Sequence, residues 1–176
     1  MGVPTILTET PKLRIEMEVE GSTVTVRPVG TIDEDVNFSV VLNLINEFGP
    51  GMQLLQFDLG RVTRLNSCGV REWLLFMEKL GTRVKVAFLS VGERFIEQAN
   101  MIPNTFGRKG TPVLSFYAPY FCPQCKTESM AILKPSDVKH AGDGSYIPPV
   151  VSCRQCNSMM DFDSIISEYF GFLQWI

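Results

Sequence analysis

Two cysteine pairs carry the clearest chemistry in this sequence. Cys122 and Cys125 enclose Pro-Gln, and Cys153 and Cys156 enclose Arg-Gln, so both pairs have the CxxC spacing. Two residues between thiolates let a tight turn present both sulfurs to one ion, and two such turns complete a tetrahedral four-sulfur shell. Soft thiolate ligands favour zinc over calcium or magnesium. The sequence therefore predicts one structural zinc ion, with no open coordination position for hydrolytic chemistry.

The segment between the pairs predicts a zinc ribbon with a long tip. It has 27 residues and contains Asp143-Gly144 and Pro148-Pro149, which favour turns. Asn157, directly after the second pair, is suited to the left-handed backbone that such turns require. His140 lies in the tip outside ligand spacing, and we expect a solvated loop residue there. Two alternatives to zinc stay open, an iron or iron–sulfur site and redox-active or disulfide-bonded cysteines.

A second stretch of small polar residues, Asn66-Ser67-Cys68-Gly69, precedes a run with helical periodicity. We expect a helix to begin here with Ser67 as its capping residue. Leu75 falls among the charged residues of this helix, so it is either weakly covered by a loop or exposed to a partner. The apolar face of the predicted helix repeats at 3.6-residue spacing and comprises Val70, Trp73, Leu74, Met77 and Leu80.

The elements around this helix follow from the same patterns. Apolar runs at 54–59 and 84–89 flank it, which favours a right-handed parallel βαβ unit. Strict alternation at 12–20 and 23–27 predicts a hairpin that Pro28 ends. The remaining predicted elements are helices at 37–48 and 92–102 and a last strand at 113–117.

This order of elements resembles the STAS domain of anti-sigma factor antagonists. The resemblance runs from about Lys12 to Phe116 and includes a strand ending in Asp-Leu, the segment VGTID and the segment VAFLSVGERFIEQANMIPNTF. In that family the turn before the central helix usually has the sequence Asp-Ser-Ser-Gly, whereas here it is Asn-Ser-Cys-Gly. The resemblance implies an α/β fold, a STAS-like mixed sheet packed by helices, and a role in bacterial regulation.

The resemblance also implies a protein partner, an anti-sigma factor or kinase-like regulator, that binds at this turn. The serine that the family's partner kinase phosphorylates corresponds to Cys68, so we expect the usual switch to be lost or altered. Ser67 matches the first serine and stays a candidate phosphorylation site. For Cys68 we expect packing rather than redox chemistry. Carried over by position, the partner-binding residues are Asn66, Ser67, Cys68, Gly69, Arg71 and Leu75.

The chain divides into four predicted parts. Residues 1–11 form a flexible N-terminal arm, 12–118 the STAS-like domain, and 119–161 the zinc ribbon. The ribbon stands where the family usually has a closing helix. We therefore expect residues 162–176 to form a C-terminal helix that docks on the body. Its apolar residues recur at helical spacing: Phe162, Ile165, Ile166, Tyr169, Phe170 and Leu173.

Composition narrows the class of function. The 176 residues carry a formal net charge of -3, and the segment from Pro119 onward has four basic against six acidic residues, which argues against nucleic acid as the main partner. No window suits a bilayer span and no secretion signal is visible, so we expect a cytoplasmic protein with no membrane partner. A reducing compartment in turn favours metal-bound over disulfide-bonded cysteines.

No catalytic set is visible in the sequence. The lone histidine pairs with no serine or cysteine, and the run Asp33-Glu34-Asp35 suits a solvated helix lead-in better than a paired acid–base site. We therefore expect a non-enzymatic interaction protein whose zinc ribbon offers a second contact surface. The alternative is a zinc-ribbon transcriptional regulator that binds nucleic acid. The sequence leaves open whether the body forms a homodimer.

Overall fold

The computed structural model describes residues 4–176, in which a helix-packed mixed sheet precedes a smaller sheet that carries the four paired cysteines. The fold is therefore mixed α/β. The helices are α1 (Ser39–Phe48), α2 (Ser67–Leu80), α3 (Glu93–Met101) and α4 (Ile166–Tyr169). The strands of the larger sheet are β1 (Thr5–Glu9), β2 (Leu13–Glu20), β3 (Thr23–Ile32), β4 (Leu54–Asp58), β5 (Val62–Leu65) and β6 (Lys85–Leu89). The later strands are β7 (Phe116–Cys122), β8 (Thr127–Leu133), β9 (Lys139–His140), β10 (Tyr146–Ile147), β11 (Val151–Ser152) and β12 (Met159–Phe162).

The larger sheet contains the predicted hairpin and βαβ unit. Its strand order is β1-β2-β3-β4-β6, and β5 pairs with the far end of β3. Strands β2 and β3 are antiparallel, whereas β4 pairs in parallel with both β3 and β6. Helix α2 makes the crossover between β4 and β6. The three helices of this region begin and end within three residues of the predicted bounds.

The N-terminal arm is the first prediction that the structure corrects. Residues 1–3 lie outside the described residues, but Thr5–Glu9 form the edge strand β1, antiparallel to β2. The sequence signal for this strand is weak because a segment of five residues, two of them threonines, shows little periodicity. The free edge of β2 supplies the hydrogen-bonding partners that fix the segment as a strand.

Pro28 does not end the hairpin, and β3 continues to Ile32. Gly30 donates its amide to the carbonyl of Arg61, and alternate residues of a strand point their backbone groups to the same side. The nitrogen of Pro28 therefore faces the side where the neighbour of β3 changes from β4 to β5. The missing amide hydrogen thus costs no ladder bond.

The core of this body lies between the sheet and its helices. Phe57 at the centre of β4 is fully buried, and its ring lies 5.5 Å from Trp73 of α2 and 5.8 Å from Phe88 of β6. The Trp73 indole donates to the carbonyl of Thr105 at 2.7 Å, so its one polar atom is paired. The opposite face of the sheet carries ion pairs, among them Arg27 with Asp58 at 2.8 Å.

A continuous strand joins the body to the smaller sheet. The predicted last strand at 113–117 is only two isolated bridges, from Val113 to Phe88 and from Phe116 to Val91. From Phe116 the chain continues as β7 into the smaller sheet, whose order is β11-β12-β7-β8. The predicted boundary between 118 and 119 therefore falls inside a strand. Pro119 is accommodated because it offers only its carbonyl, which accepts from the amide of Asp163 at 3.0 Å.

The C-terminal segment docks on the body but is not the single helix predicted for 162–176. Phe162 belongs to β12, Ile166–Tyr169 form one short helical turn, and Phe170–Gln174 form a 3₁₀ helix. Fully buried Phe170 and Phe172 pack against Phe116. The tighter 3₁₀ turn changes the periodicity, so Phe172 takes a buried place that the helical pattern did not assign.

Candidate metal centre and the surface at helix α2

Two similar turns bring the paired cysteines together. Cys122 ends β7 and Cys125 lies in the turn to β8, while Cys153 and Cys156 lie in the turn between β11 and β12. In each turn the residue after the second cysteine has a left-handed backbone, with φ of 56° at Lys126 and 62° at Asn157. Both donate their amides to the carbonyl of the first cysteine, at 2.8 Å and 2.9 Å. The expectation for Asn157 is confirmed.

The sulfur geometry fits one tetrahedral ion. All four sulfurs lie within 4.8 Å of one another. The Sγ atoms of Cys122 and Cys156 are 3.6 Å apart, and those of Cys153 and Cys125 are 3.9 Å apart. Zinc–sulfur bonds of about 2.3 Å place the sulfurs of a tetrahedral site about 3.8 Å apart. A disulfide needs a bond of about 2.05 Å, so these separations belong to free thiols arranged around a common centre.

The polar surroundings of the sulfurs favour a cation at their centre. The amides of Cys125 and Gln155 point to the sulfurs of Cys122 and Cys153, both at 3.4 Å. Hydrogen bonds from Ser158 lower the pKa of the Cys156 thiol to about 6, whereas hydrogen bonding to Cys156 and burial raise the pKa of Cys125 to about 12. Four adjacent thiolates repel one another, so a bound cation is what allows all four to ionise together.

The other candidate ligand residues lie outside this cluster. His140 is exposed, and its ring packs 4.9 Å from that of Tyr146 in the tip. Cys68 is a half-buried free thiol at the start of α2, in the body. Over residues 4–176, Cys122, Cys125, Cys153 and Cys156 form the one group of histidine, cysteine and acidic side chains close enough to share an ion. With four protein sulfurs, such a centre is structural in type.

The turn before α2 is capped by Asn66 rather than by Ser67. The Asn66 side-chain oxygen accepts from the amide of Gly69 at 2.7 Å, and its amide group donates to Glu34 at 3.0 Å. Asn66 has an extended backbone, as a capping residue requires, while Ser67 already lies in the first turn of the helix. The cap thereby joins α2 to the segment that follows β3, and the Ser67 side chain is left exposed.

Gly69 lets α2 approach β3 closely. A β-carbon at this position would lie 2.6 Å from the backbone carbonyl carbon of Ile32 and would also clash with its oxygen. Gly69 is buried, so it does not contribute to the predicted partner surface and instead allows α2 to pack against β3. The residues of that surface which do face solvent are Ser67, Arg71 and Leu75, with Asn66 and Cys68 half-buried beside them.

The acidic run beside this turn forms ion pairs. The Lys12 ammonium contacts Asp33 at 2.9 Å and Asp35 at 3.0 Å. The hydrogen bond from Lys12 to Asp33, together with a second from the Asp35 amide, holds the pKa of Asp33 below its usual value. The Asp33 carboxylate therefore stays ionised at neutral pH, and the three carboxylates are tied to Lys12 and Asn66.

A groove runs along α2 next to the exposed residues of the predicted partner surface. Its volume is about 940 Å³ and it is open to solvent, with Ser67, Arg71 and Leu75 on its helix side. No local pattern predicts this groove, because its far wall comes from the loop after α3, around Ile102 and Arg108. Apolar side chains make up much of its surface: Val70, Leu74, Met77, Val84, Val86 and Ile102.

No protein-family model matches the chain, and no curated protein is similar to it. Within residues 4–176, none of the helices is both long enough and apolar enough to cross a membrane.

Proposed function

We propose that this protein is a non-enzymatic regulator that binds another protein through its α2 surface. In this proposal the body is STAS-like and acts in the manner of an anti-sigma factor antagonist, with an anti-sigma factor or kinase-like regulator as partner. The four cysteines hold one structural zinc ion that stabilises the ribbon. The observation that supports the proposal most is the groove along α2, whose helix side contains Ser67, Arg71 and Leu75.

Two properties of the groove support a role in protein binding. Its apolar floor could bury a side chain of the partner. Arg71, Lys85 and Arg108 outnumber the one acidic residue of the lining, Glu78, so the groove is suited to an acidic rim on the partner. Leu75 is 42% exposed at the side of the groove, where a partner would cover it. The Asn66 cap and the hydrogen bond from Trp73 to Thr105 hold helix α2 on the body, so the helix side of the groove is positioned by contacts within the chain.

Regulation by phosphorylation would act on Ser67 in this proposal. Ser67 is exposed and lies on the groove, whereas Cys68 at the position of the family's phosphorylated serine is half-buried. A phosphate on Ser67 would lie in the first turn of α2, where the unpaired amides favour negative charge, and it would alter the charge of the groove.

The test compares two substitutions of equally exposed leucines. Leu75 is 42% and Leu114 is 40% exposed, and Leu114 does not line the groove. We expect the wild-type protein and Leu114→Arg to capture the same partner from cells of the source organism, and Leu75→Arg to lose it. Purified partner should then bind Leu75→Arg at least tenfold more weakly, since a buried arginine at a contact costs more than about 1.4 kcal/mol. Equal binding by all three proteins would contradict the proposed surface.

A further inference from the structure

The edge of the cysteine-bearing sheet is open at β8. In the order β11-β12-β7-β8 this strand pairs with β7 alone, and over residues 4–176 no other strand adds to its free side. It is seven residues long, with neither proline nor lysine inside it. Natural proteins usually protect an edge of this length with charged residues, proline or a bulge, and here Glu128 is the one charged residue inside the strand. A long regular edge of this kind is a template for a further strand.

The backbone groups on the free side belong to Glu128, Met130 and Ile132. The Pro119 carbonyl is bound to Asp163, on the side of β12, so its neighbours Ala118 and Tyr120 direct their backbone groups toward β8. Their partners in β8 are Ala131 and Ser129. Because backbone direction alternates along a strand, the intervening residues of β8 present their amides and carbonyls to the open edge.

The same three residues are exposed on the outer face of the sheet. Met130 is 44% and Ile132 is 58% exposed. Ser129 lies on the opposite face, where its hydroxyl contacts the sulfur of Met160 at 3.7 Å. Lys134 follows in extended conformation, with φ of -99° and ψ of 153°, and is exposed as well. In the described part of the chain, neither Glu128 nor Lys134 has an ion-pair partner.

The outward side chains of this edge can pair with those of a second copy of β8 that runs antiparallel to it. These side chains are Glu128, Met130, Ile132 and Lys134. With Ala131 opposite Ala131 of a second copy, Met130 faces Ile132 and Glu128 faces Lys134, and the two-fold axis repeats each pair. A register with Met130 opposite itself would instead bring Lys126 against Lys134. Charge therefore selects the first register over its neighbour.

We propose that two copies of this chain associate edge to edge through β8 and form one eight-stranded antiparallel sheet across a two-fold axis. Met130 and Ile132 exchange both backbone bonds with their counterparts, so symmetry gives about four such bonds between the subunits. The α2 groove takes no part, so this dimer is independent of partner binding, and Leu75→Arg leaves it unchanged.

Charge exchange tests the pairing directly. By sedimentation equilibrium of the zinc-loaded protein, we expect the wild type to be a dimer and Glu128→Lys or Lys134→Glu to raise its dissociation constant about tenfold or more, because each turns two attractive pairs into two repulsive ones. The double variant Glu128→Lys/Lys134→Glu restores the dimer. Mixing the two single variants yields a heterodimer, since each then supplies the charge that the other needs.

Cross-linking tests the register. In the proposed pair Ala131 is opposite itself at a position without ladder bonds, where Cα atoms are about 4.5 Å apart and a disulfide fits. Ala131→Cys should therefore form a covalent dimer in air, while Met130→Cys, diagonal to its copy at about 7–8 Å, should not. A wild type that is monomeric at every concentration, single variants that dimerise as well as the wild type, or cross-linking at 130 rather than 131 would overturn the proposal.

Discussion

The body and the cysteine-bearing sheet are stabilised in different ways. The body buries whole aromatic side chains, with Phe57, Trp73 and Phe95 in one cluster between a sheet and three helices. The smaller sheet leaves Met130, Ile132 and Met159 exposed. Among its buried residues are two of the four clustered cysteines, Cys122 and Cys153. The smaller sheet also buries Phe116, Tyr120 and Met160, but its two cysteine turns contain few apolar side chains. We therefore expect the body to depend on buried apolar area and the two turns to depend on a metal ion held by their sulfurs.

This difference predicts different responses to damage. Burial is spread over many residues, so the loss of one side chain removes a fraction of the stability of the body. A small sheet buries too little surface to fold well by itself, and metal binding at such a site is itself folding free energy. One lost ligand should therefore unfold the ribbon while leaving the body largely intact.

The largest effect is expected for Cys153→Ser. Cys153 is 4% exposed and its sulfur is 3.9 Å from that of Cys125, so serine removes a buried ligand. Structural zinc binding contributes about 10–16 kcal/mol in small zinc modules, and the sheet should not persist without it. We expect bound zinc to fall from one ion per chain to none, and amide exchange protection to be lost in residues 119–161 but retained in 13–101.

Cys68→Ser is the matched control, since Cys68 is a free cysteine outside the cluster. It should keep its zinc and its protection pattern. Chelation of zinc from the wild type should reproduce the pattern of Cys153→Ser. If elemental analysis finds no stoichiometric metal in the wild type, or if chelation leaves the ribbon protected, the assignment of a structural zinc site is wrong.

An intermediate effect is expected for Phe57→Ala, which damages the body alone. Removing a fully buried phenylalanine costs about 3–5 kcal/mol in the free energy of unfolding. Denaturant unfolding of the body should show this loss, while zinc content stays at one ion per chain. Met101→Ala is the control, because Met101 is 67% exposed and its truncation should change little. Loss of zinc in Phe57→Ala would show that the two regions do not fail separately.

The smallest effect is expected at the cap of α2. Asn66→Ala removes the acceptor for the Gly69 amide and should lower the free energy of unfolding by about 1 kcal/mol. Ser67→Ala should stay within about 0.5 kcal/mol, because Ser67 is exposed and does not cap the helix. Chemical denaturation of both variants checks the ranking. If Ser67→Ala lowered the free energy of unfolding more than Asn66→Ala, Ser67 would be the capping residue.

Regular patterns predicted much of the body. The helical spacing of α2 survives in the structure because the helix buries its apolar side on the core. The alternation of β2 holds for the buried Leu13 and Ile15, whereas Val19 is 41% exposed and Glu16 is buried in an ion pair with Arg14. What escaped prediction depends on neighbours rather than on local pattern. Strands β1 and β5 are short and have little pattern of their own. Strand β1 is fixed by the edge of the neighbouring β2, and β5 by pairing with β3, about 30 residues earlier in the chain. Likewise, Pro28 fits inside β3 only because of which side its nitrogen faces.

The cysteine cluster was the most predictable part of the candidate site, because CxxC spacing dictates a local turn whatever surrounds it. The α2 surface was predictable only as a helix. Its groove needs Ile102 and Arg108, which reach α2 through the tertiary fold, and no spacing rule connects them with Leu75. The cap was assigned to the wrong neighbour because Asn66 and Ser67 are both good capping residues, and the register of the helix decides between them.

The C-terminal segment, which packs on the body after the ribbon, affects the order in which the protein can fold during synthesis. Phe170 and Phe172 cover Phe116, and Tyr169 donates to the carbonyl of Tyr117 at 2.6 Å, so the body borrows part of its covering from residues translated after both cysteine turns. A nascent chain emerges from the ribosome N-terminal end first. The apolar side around Phe116 therefore stays uncovered until the C-terminal residues have been synthesised. If the thiols bind zinc as proposed, a slow supply of metal would lengthen the interval in which the nascent protein is prone to aggregate.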